Sequence, residues 1–241
     1  MIPLVCYSHT DYLDVLDVQR NTLRCFDCPR YLCLNAPVCP APFQRTLVYD
    51  ETKNYSKRLE ESLRQLTDPC ILLFQDMDII LDVDCSTISE VAAFMESHGI
   101  DRVDLKVVDG SPQLYVREGL GLIRNTDVNG YIYNVNPSIW KRESLLDMLS
   151  KFDRCYRTIE GLDVQEYCLR FSVYCLHVSY SLQSAYFRVA RWFVYLHITS
   201  AGKLIPRTEN GLCPEIQSTY LQILESFQFN RGMKSQLYGY N

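Results

Sequence analysis

The sequence predicts an α/β fold, a Rossmann-type and mostly parallel central sheet flanked by helices. Three observations predict it. Over the first 78 residues, apolar runs of strand length alternate with stretches of helical spacing, in the order strand, helix, strand, strand, helix, strand. The run at 70–75, CILLFQ, stays apolar almost to its end, as a strand buried on both faces does. Beyond residue 100 the alternation loosens, which predicts α+β decoration in the C-terminal half. The chain is expected to form one domain, 1–241, with residues 1–100 and 101–241 as its two halves.

Each element has its own signal. IPLVCYS at the start reads as the first strand. Tyr12, Val15, Leu16, Gln19 and Leu23 then fall on one helical face, with Thr10 or Asp11 as cap. RYLCLN and RTLVYD read as strands around the Pro-rich loop APVCPAP. Tyr55, Leu59, Leu63 and Leu66 form one stripe of a helix that Asp68-Pro69 ends. After CILLFQ, residues 86–99 predict a helix with Thr87 and Glu90 as a capping box and Gly99 at its close. DRVDLKVV and PQLYVRE are expected as two strands, an antiparallel pair turning at Asp109-Gly110. Residues 119–137 read as a Gly/Asn-rich loop leading into another strand. Asn136 and Pro137 start a helix whose body is SIWKRESLLDMLSKF. A loop plus helix is expected over 158–172, strands in VYCLHVSYSL and RWFVYLHIT, and a late helix in TYLQILESFQF.

The formal net charge of -5 argues against a polyanion-binding protein, so no nucleic-acid partner is expected. No apolar run is long enough for a transmembrane segment, and the N-terminus lacks the pattern of a signal peptide. A cytoplasmic protein with reduced thiols is the expectation for its 11 Cys. Cys25, Cys28, Cys33 and Cys39 cluster, but their irregular spacing favours ordinary thiols over zinc.

The informative stretch is FQDMDIILDVD. Asp76 and Asp78 end a buried strand at the edge where parallel sheets bind ligands. Two carboxylates this close suit a hard divalent cation, Mn²⁺ or Mg²⁺, which can bridge the phosphates of a nucleotide diphosphate. Asp82 and Asp84 read as solvated or capping residues.

A strand followed by this Asp-x-Asp, after a Rossmann-like half, resembles the GT-A fold of glycosyltransferases. More narrowly, the opening of the chain and LLFQDMD are similar to the N-terminal glycosyltransferase domain of a chlorella-virus protein, which transfers rhamnose. The resemblance implies a metal-dependent transferase moving a sugar from a nucleotide-diphosphate donor, a UDP-sugar such as UDP-rhamnose, to a glycan hydroxyl. It places residues 1–100 on the donor and 101–241 on the acceptor, and a viral protein would act in the host cytoplasm. It makes Asp78 a direct metal ligand, with Asp76 on the ribose or on the metal through water, and it implies a C-terminal histidine ligand.

His197, at a strand end, fits that ligand, or else pairs within the fold. Lys203 nearby suits phosphate oxygens. Tyr7, Ser8, His9 and Thr10, at the exit of the first strand, are candidates for the base and ribose, although Tyr7 suits the core equally. Arg58 could face phosphates or solvent. An inverting transfer needs a base for the acceptor hydroxyl, and TIEGLDVQEY offers Asp163 first and Glu160 second. Asp163 with Glu166 also fits a helix cap. Two other readings stand beside the transferase: a nucleotidyltransferase acting on sugar phosphates, and a non-catalytic carbohydrate-binding domain of the same fold. The first should carry a Gly-rich phosphate loop, and CYSHTDYLD contains no Gly.

Overall fold

The structure, a computed structural model, describes residues 1–23, 26–128, 131–184, 187–197, 199–200, 203–204, 214 and 216–218. The first strand, β1 (Leu4–Tyr7), leads through a 3-10 turn into α1 (Leu13–Leu23). Next come β2 (Arg30–Leu34), β3 (Arg45–Val48), α2 (Tyr55–Leu63) and β4 (Cys70–Gln75). A two-residue turn separates β4 from β5 (Asp78–Val83), and α3 (Cys85–Ser97) follows. The second half holds β6 (Arg102–Val107), β7 (Leu114–Arg117), β8 (Leu120–Arg124), β9 (Ser138–Lys141), α4 (Arg142–Lys151) and α5 (Leu162–Cys168). After them run β10 (Val173–Val178), β11 (Ser181–Ser184), β12 (Phe187–Ala190), β13 (Phe193–His197), β14 (Thr199–Ser200) and β15 (Lys203–Leu204).

The main sheet has the order β3-β2-β1-β4-β9-β6-β10-β8-β7. Along that path only β9 and β8 run against the others, so the sheet is mostly parallel. This is the Rossmann-type, mostly parallel sheet flanked by helices that the sequence predicts. Strand alternation divides the core between its two faces. Leu4, Cys6, Leu72 and Phe74 face α1, α3, β5 and β13. Val5, Tyr7, Ile71 and Leu73 face α2, α4 and α5. Burial on both faces is why β1 and β4 are apolar at every position but the last of β4, Gln75.

Four local expectations are corrected. The strands β6 and β7 do not pair with each other: β6 lies inside the sheet between β9 and β10, and β7 lies at its edge on β8. Residues 120–124, expected in a loop, form that partner strand β8. The helix expected from Asn136-Pro137 begins at Arg142, because Ser138–Lys141 is drawn into the sheet between β4 and β6. Ile139 and Trp140 are 0% and 1% exposed there. Burial on both sides decides such a segment over its helical spacing. Finally, α3 is capped by Asp84, which accepts from the Ser86 and Thr87 amides, while Glu90 pairs with Arg117 across 3.0 Å. The late helix over 219–229 lies outside the described residues.

Candidate active site at the carboxyl edge of the sheet

The register of β1 on β4 pairs Tyr7 with Gln75 and so brings Ser8 alongside Asp76, one residue past each strand. The Asp76 amide donates to the Tyr7 carbonyl (3.0 Å), and Ser8 Oγ donates to Asp76 Oδ2 (2.8 Å). Asp76 and Met77 form the turn after β4, and Asp78 opens β5. The antiparallel pairing of β5 with β13 sets His197 opposite Asp78. Their side chains meet, with His197 Nδ1 2.8 Å from Asp78 Oδ1. The other oxygen, Oδ2, accepts from the Gln75 amide (3.3 Å). Both carboxylates are buried, at 0% and 1% exposure. Each therefore relies on these polar neighbours in place of water. The Cys6 thiol, raised well above its ordinary value, owes the shift first to burial and then to the charges of Asp76, Cys33 and Asp78.

Of the expected base and ribose residues, Tyr7 is a core residue. Its ring stacks on Tyr49 at 5.4 Å and meets Tyr55 edge-on at 4.8 Å, which leaves it 3% exposed. Ser8 is buried, and its carbonyl accepts from Tyr49 OH (2.7 Å). His9 and Thr10 are half-buried on the strand exit. His9 Nδ1 accepts from the Asp11 amide, and Nε2 lies 3.6 Å from Glu51 Oε2. Burial lowers the His9 pKa, against the opposing pull of Asp11 and Glu51. The Thr10 amide donates to Asn35 Oδ1 (2.9 Å), and Asn35 Nδ2 donates to Glu51 Oε2 (2.7 Å). Asn35 and Glu51 had escaped notice in the sequence. They follow β2 and β3, so the rule that drew attention to the exits of β1 and β4 applies equally to them. Arg58 donates to the carbonyls of Lys53 and Glu51 and lies over Tyr49, 5.7 Å from its ring centroid.

The two base candidates separate. Asp163 is exposed in the first turn of α5 and is ion-paired with Arg154. It does not cap that helix, whose N-cap is Gly161. Glu160 is half-buried, and its Oε1 accepts from the Val135 amide (2.8 Å). Burial raises its pKa above the usual carboxylate range. Its charged neighbours are Arg102, Asp104 and Lys106. These belong to a network missed in the sequence: Arg102 donates to the Ile132 carbonyl and to Asn134 Oδ1, and Asn134 Nδ2 donates to Asp104 Oδ2 (2.6 Å). The buried Tyr195 phenol is raised well above its ordinary value, first by burial and then by the charges of Asp78 and Asp104. Lys203 is on β15, just beyond His197; its side chain lies outside the described residues.

No protein-family model and no curated protein sequence matches the chain. Among solved structures it is similar to residues 1–349 of Staphylococcus aureus TarS, at 12% identity over 72% of this chain, with a TM-score of 0.45. The chain spans 57% of that one. It is also similar to 4-diphosphocytidyl-2C-methyl-D-erythritol synthase from Anaerococcus prevotii, at 12% identity over 75% of this chain and 90% of the other, with a TM-score of 0.45. A UDP-glucose pyrophosphorylase complexed with UDP-glucose matches at 8% identity, 74% and 91% coverage and a TM-score of 0.43.

The residues also bear on the cation. Among the described residues, no three His, Cys, Asp or Glu side chains are gathered into a ready-made cage. What is assembled is the Asp78–His197 pair, with Asp76 on Ser8 one turn residue away. Carboxylate and imidazole are donors that suit Mn²⁺.

Proposed function

We propose that the chain is a single GT-A-like domain that transfers a sugar from a nucleotide-diphosphate donor to a glycan hydroxyl, with inversion at the sugar carbon. The observation that carries the reading is the meeting of Asp78 and His197 beside Asp76, at the carboxyl edge of a mostly parallel sheet. Asp76, Asp78 and His197 would hold Mn²⁺ or Mg²⁺, and the ion would neutralise the departing diphosphate. Ser8 orients Asp76. His9, Thr10, Asn35 and Glu51 line the exits of β1–β3 and offer hydrogen bonds to a base and ribose. Glu160 serves as the base that accepts the proton of the acceptor hydroxyl: it is half-buried and burial raises its pKa, whereas Asp163 is exposed and ion-paired with Arg154. Lys203 is assigned to the phosphates through its place after His197. A UDP-sugar is the first donor to try, and UDP-rhamnose belongs in the panel.

Titration calorimetry with UDP, with and without Mn²⁺, tests the reading on wild type and Asp78→Asn. A sugar-nucleotide panel scored for released UDP or GDP completes the test. The expected result is Mn²⁺-dependent UDP binding that Asp78→Asn abolishes, and release from at least one donor. UDP affinity indifferent both to Mn²⁺ and to the substitution would overturn it. Release of pyrophosphate from a nucleoside triphosphate and a sugar phosphate would identify a nucleotidyltransferase instead.

A further inference from the structure

The segment 132–136, which leads into β9, is bonded to a side chain at every residue. Arg102 opens β6 and is 0% exposed, with its guanidinium over the rings of Trp140 (5.1 Å) and Tyr133 (5.6 Å). Its Nη1 donates to the Ile132 carbonyl (2.6 Å). Its Nη2 donates to the Asn134 carbonyl (3.1 Å) and to Asn134 Oδ1 (2.8 Å). Asn134 Nδ2 donates to Asp104 Oδ2 (2.6 Å), and Oδ1 accepts from the Asn136 amide (3.1 Å). Gln165 of α5 brackets Tyr133, accepting from its amide (2.8 Å) and donating to its carbonyl (2.7 Å). The fifth residue, Val135, donates its amide to Glu160 Oε1 (2.8 Å).

A buried ion is a costly way to fill space, and a well-packed apolar side chain does so at no greater cost. What only a guanidinium does is donate to several oxygens at once from one rigid, planar fork. Here those oxygens all belong to the two residues that flank Tyr133. Gln165 carries the same unit to Glu160, because its Nε2 also donates to the Glu160 carbonyl (3.1 Å). Glu160 is thus held at its main chain by Gln165 and at its carboxylate by Val135.

We infer that Arg102 is a positioning residue for the transfer reaction: it fixes the segment 132–136 so that the Val135 amide aims the Glu160 carboxylate. The inference rests on the reading of Glu160 as the base. Oε1 is the anchored oxygen, and Oε2 is the one that receives the proton of the acceptor. Arg102 touches neither donor nor acceptor and acts only through this chain of bonds. A lysine in its place keeps the charge but loses the fork, so the segment and the carboxylate behind it are free to shift.

The test is a double-mutant cycle in turnover, scored as UDP or GDP released from the donor that the sugar-nucleotide panel selects. Arg102→Lys should lower kcat about tenfold or more in the wild-type chain, but no more than about two-fold when Glu160→Gln is already present. Donor KM and Mn²⁺-dependent UDP binding should stay within about two-fold of wild type, which also shows that the variant is folded. An equal fall in both backgrounds, or none in either, overturns the inference. Should Arg102→Lys fold poorly, amide hydrogen exchange of the unsubstituted chain decides: the Tyr133 and Val135 amides should be protected, and exchange as fast as in an exposed loop overturns it. A wild-type chain without turnover, or Glu160→Gln turning over like wild type, refutes the base assignment itself and the inference with it.

Discussion

Gln19 and Asp78, 59 residues apart, are joined by a 2.6 Å hydrogen bond from the Gln19 amide to the Asp78 carbonyl, and both residues are buried. The Gln19 carbonyl oxygen accepts in turn from the Ile80 amide. One side chain on α1 therefore satisfies backbone groups of β5 on either side of Ile79. Replacing Gln19 by Met would leave both groups without a partner in a dry interior. We expect a loss of about 1–3 kcal/mol of stability. Urea unfolding followed by circular dichroism measures it, and a loss below about 0.5 kcal/mol would mean that β5 is held by other contacts.

The two acids near α5 should part company under mutation. Glu160→Gln keeps an acceptor for the Val135 amide but removes the titrating group. Turnover should fall by about 10²–10⁴-fold, the usual worth of a positioned base. Asp163→Asn breaks only an exposed ion pair and should leave turnover within about two-fold. Equal effects of the two substitutions on kcat would refute the assignment.

The raised Glu160 pKa also predicts a stability effect. Burial makes its charged form costly, so its contribution to stability is greatest below the ordinary glutamate range and is lost as pH rises through the folded value. At neutral pH, Glu160→Gln should therefore leave Tm unchanged or raise it. A clear drop in Tm would show that the carboxylate charge is needed by Arg102 or Lys106.

Tyr7 predicts an alkaline transition. Burial pushes its phenol up to about 12, against lowering by Arg58 and Tyr49. The unfolded chain gives up that proton near pH 10, so stability is intact below about pH 10 and falls between there and about pH 12. Tyr7→Phe should flatten the fall over this window, as read by unfolding at a series of pH values. An unchanged slope would mean that other tyrosines alone account for it.

Much of the N-terminal half was legible because its signals are local. An apolar run such as CILLF reads as a doubly buried strand, and the stripe from Tyr55 to Leu66 reads as a helix. Asp76 and Asp78 could be placed at a strand end by counting. The C-terminal half depends on choices that no local pattern encodes. Ile139 and Trp140 suit a helix or a strand equally, and only the gap between β4 and β6 decides. Asp104 sits in RVDLK as any strand acid might, and its bond to Asn134 depends on a loop 30 residues away. Tyr7 suited the base site and the core equally, and the rings that cover it, Tyr49 and Tyr55, come from other parts of the chain. Glu160 and Asp163 cannot be ranked by spacing, because what separates them is burial.

The pairing of β13 with β5 has a consequence for biosynthesis. Asp78 leaves the ribosome long before His197, which lies 119 residues further along the chain. The early strands β1–β4 can assemble with α1 and α2 while that stretch is being made. Until β13 arrives, β5 has an open edge and its leading carboxylate lacks its imidazole neighbour. A nascent chain stalled before residue 193 should therefore hold the early sheet without the completed carboxylate–imidazole pair.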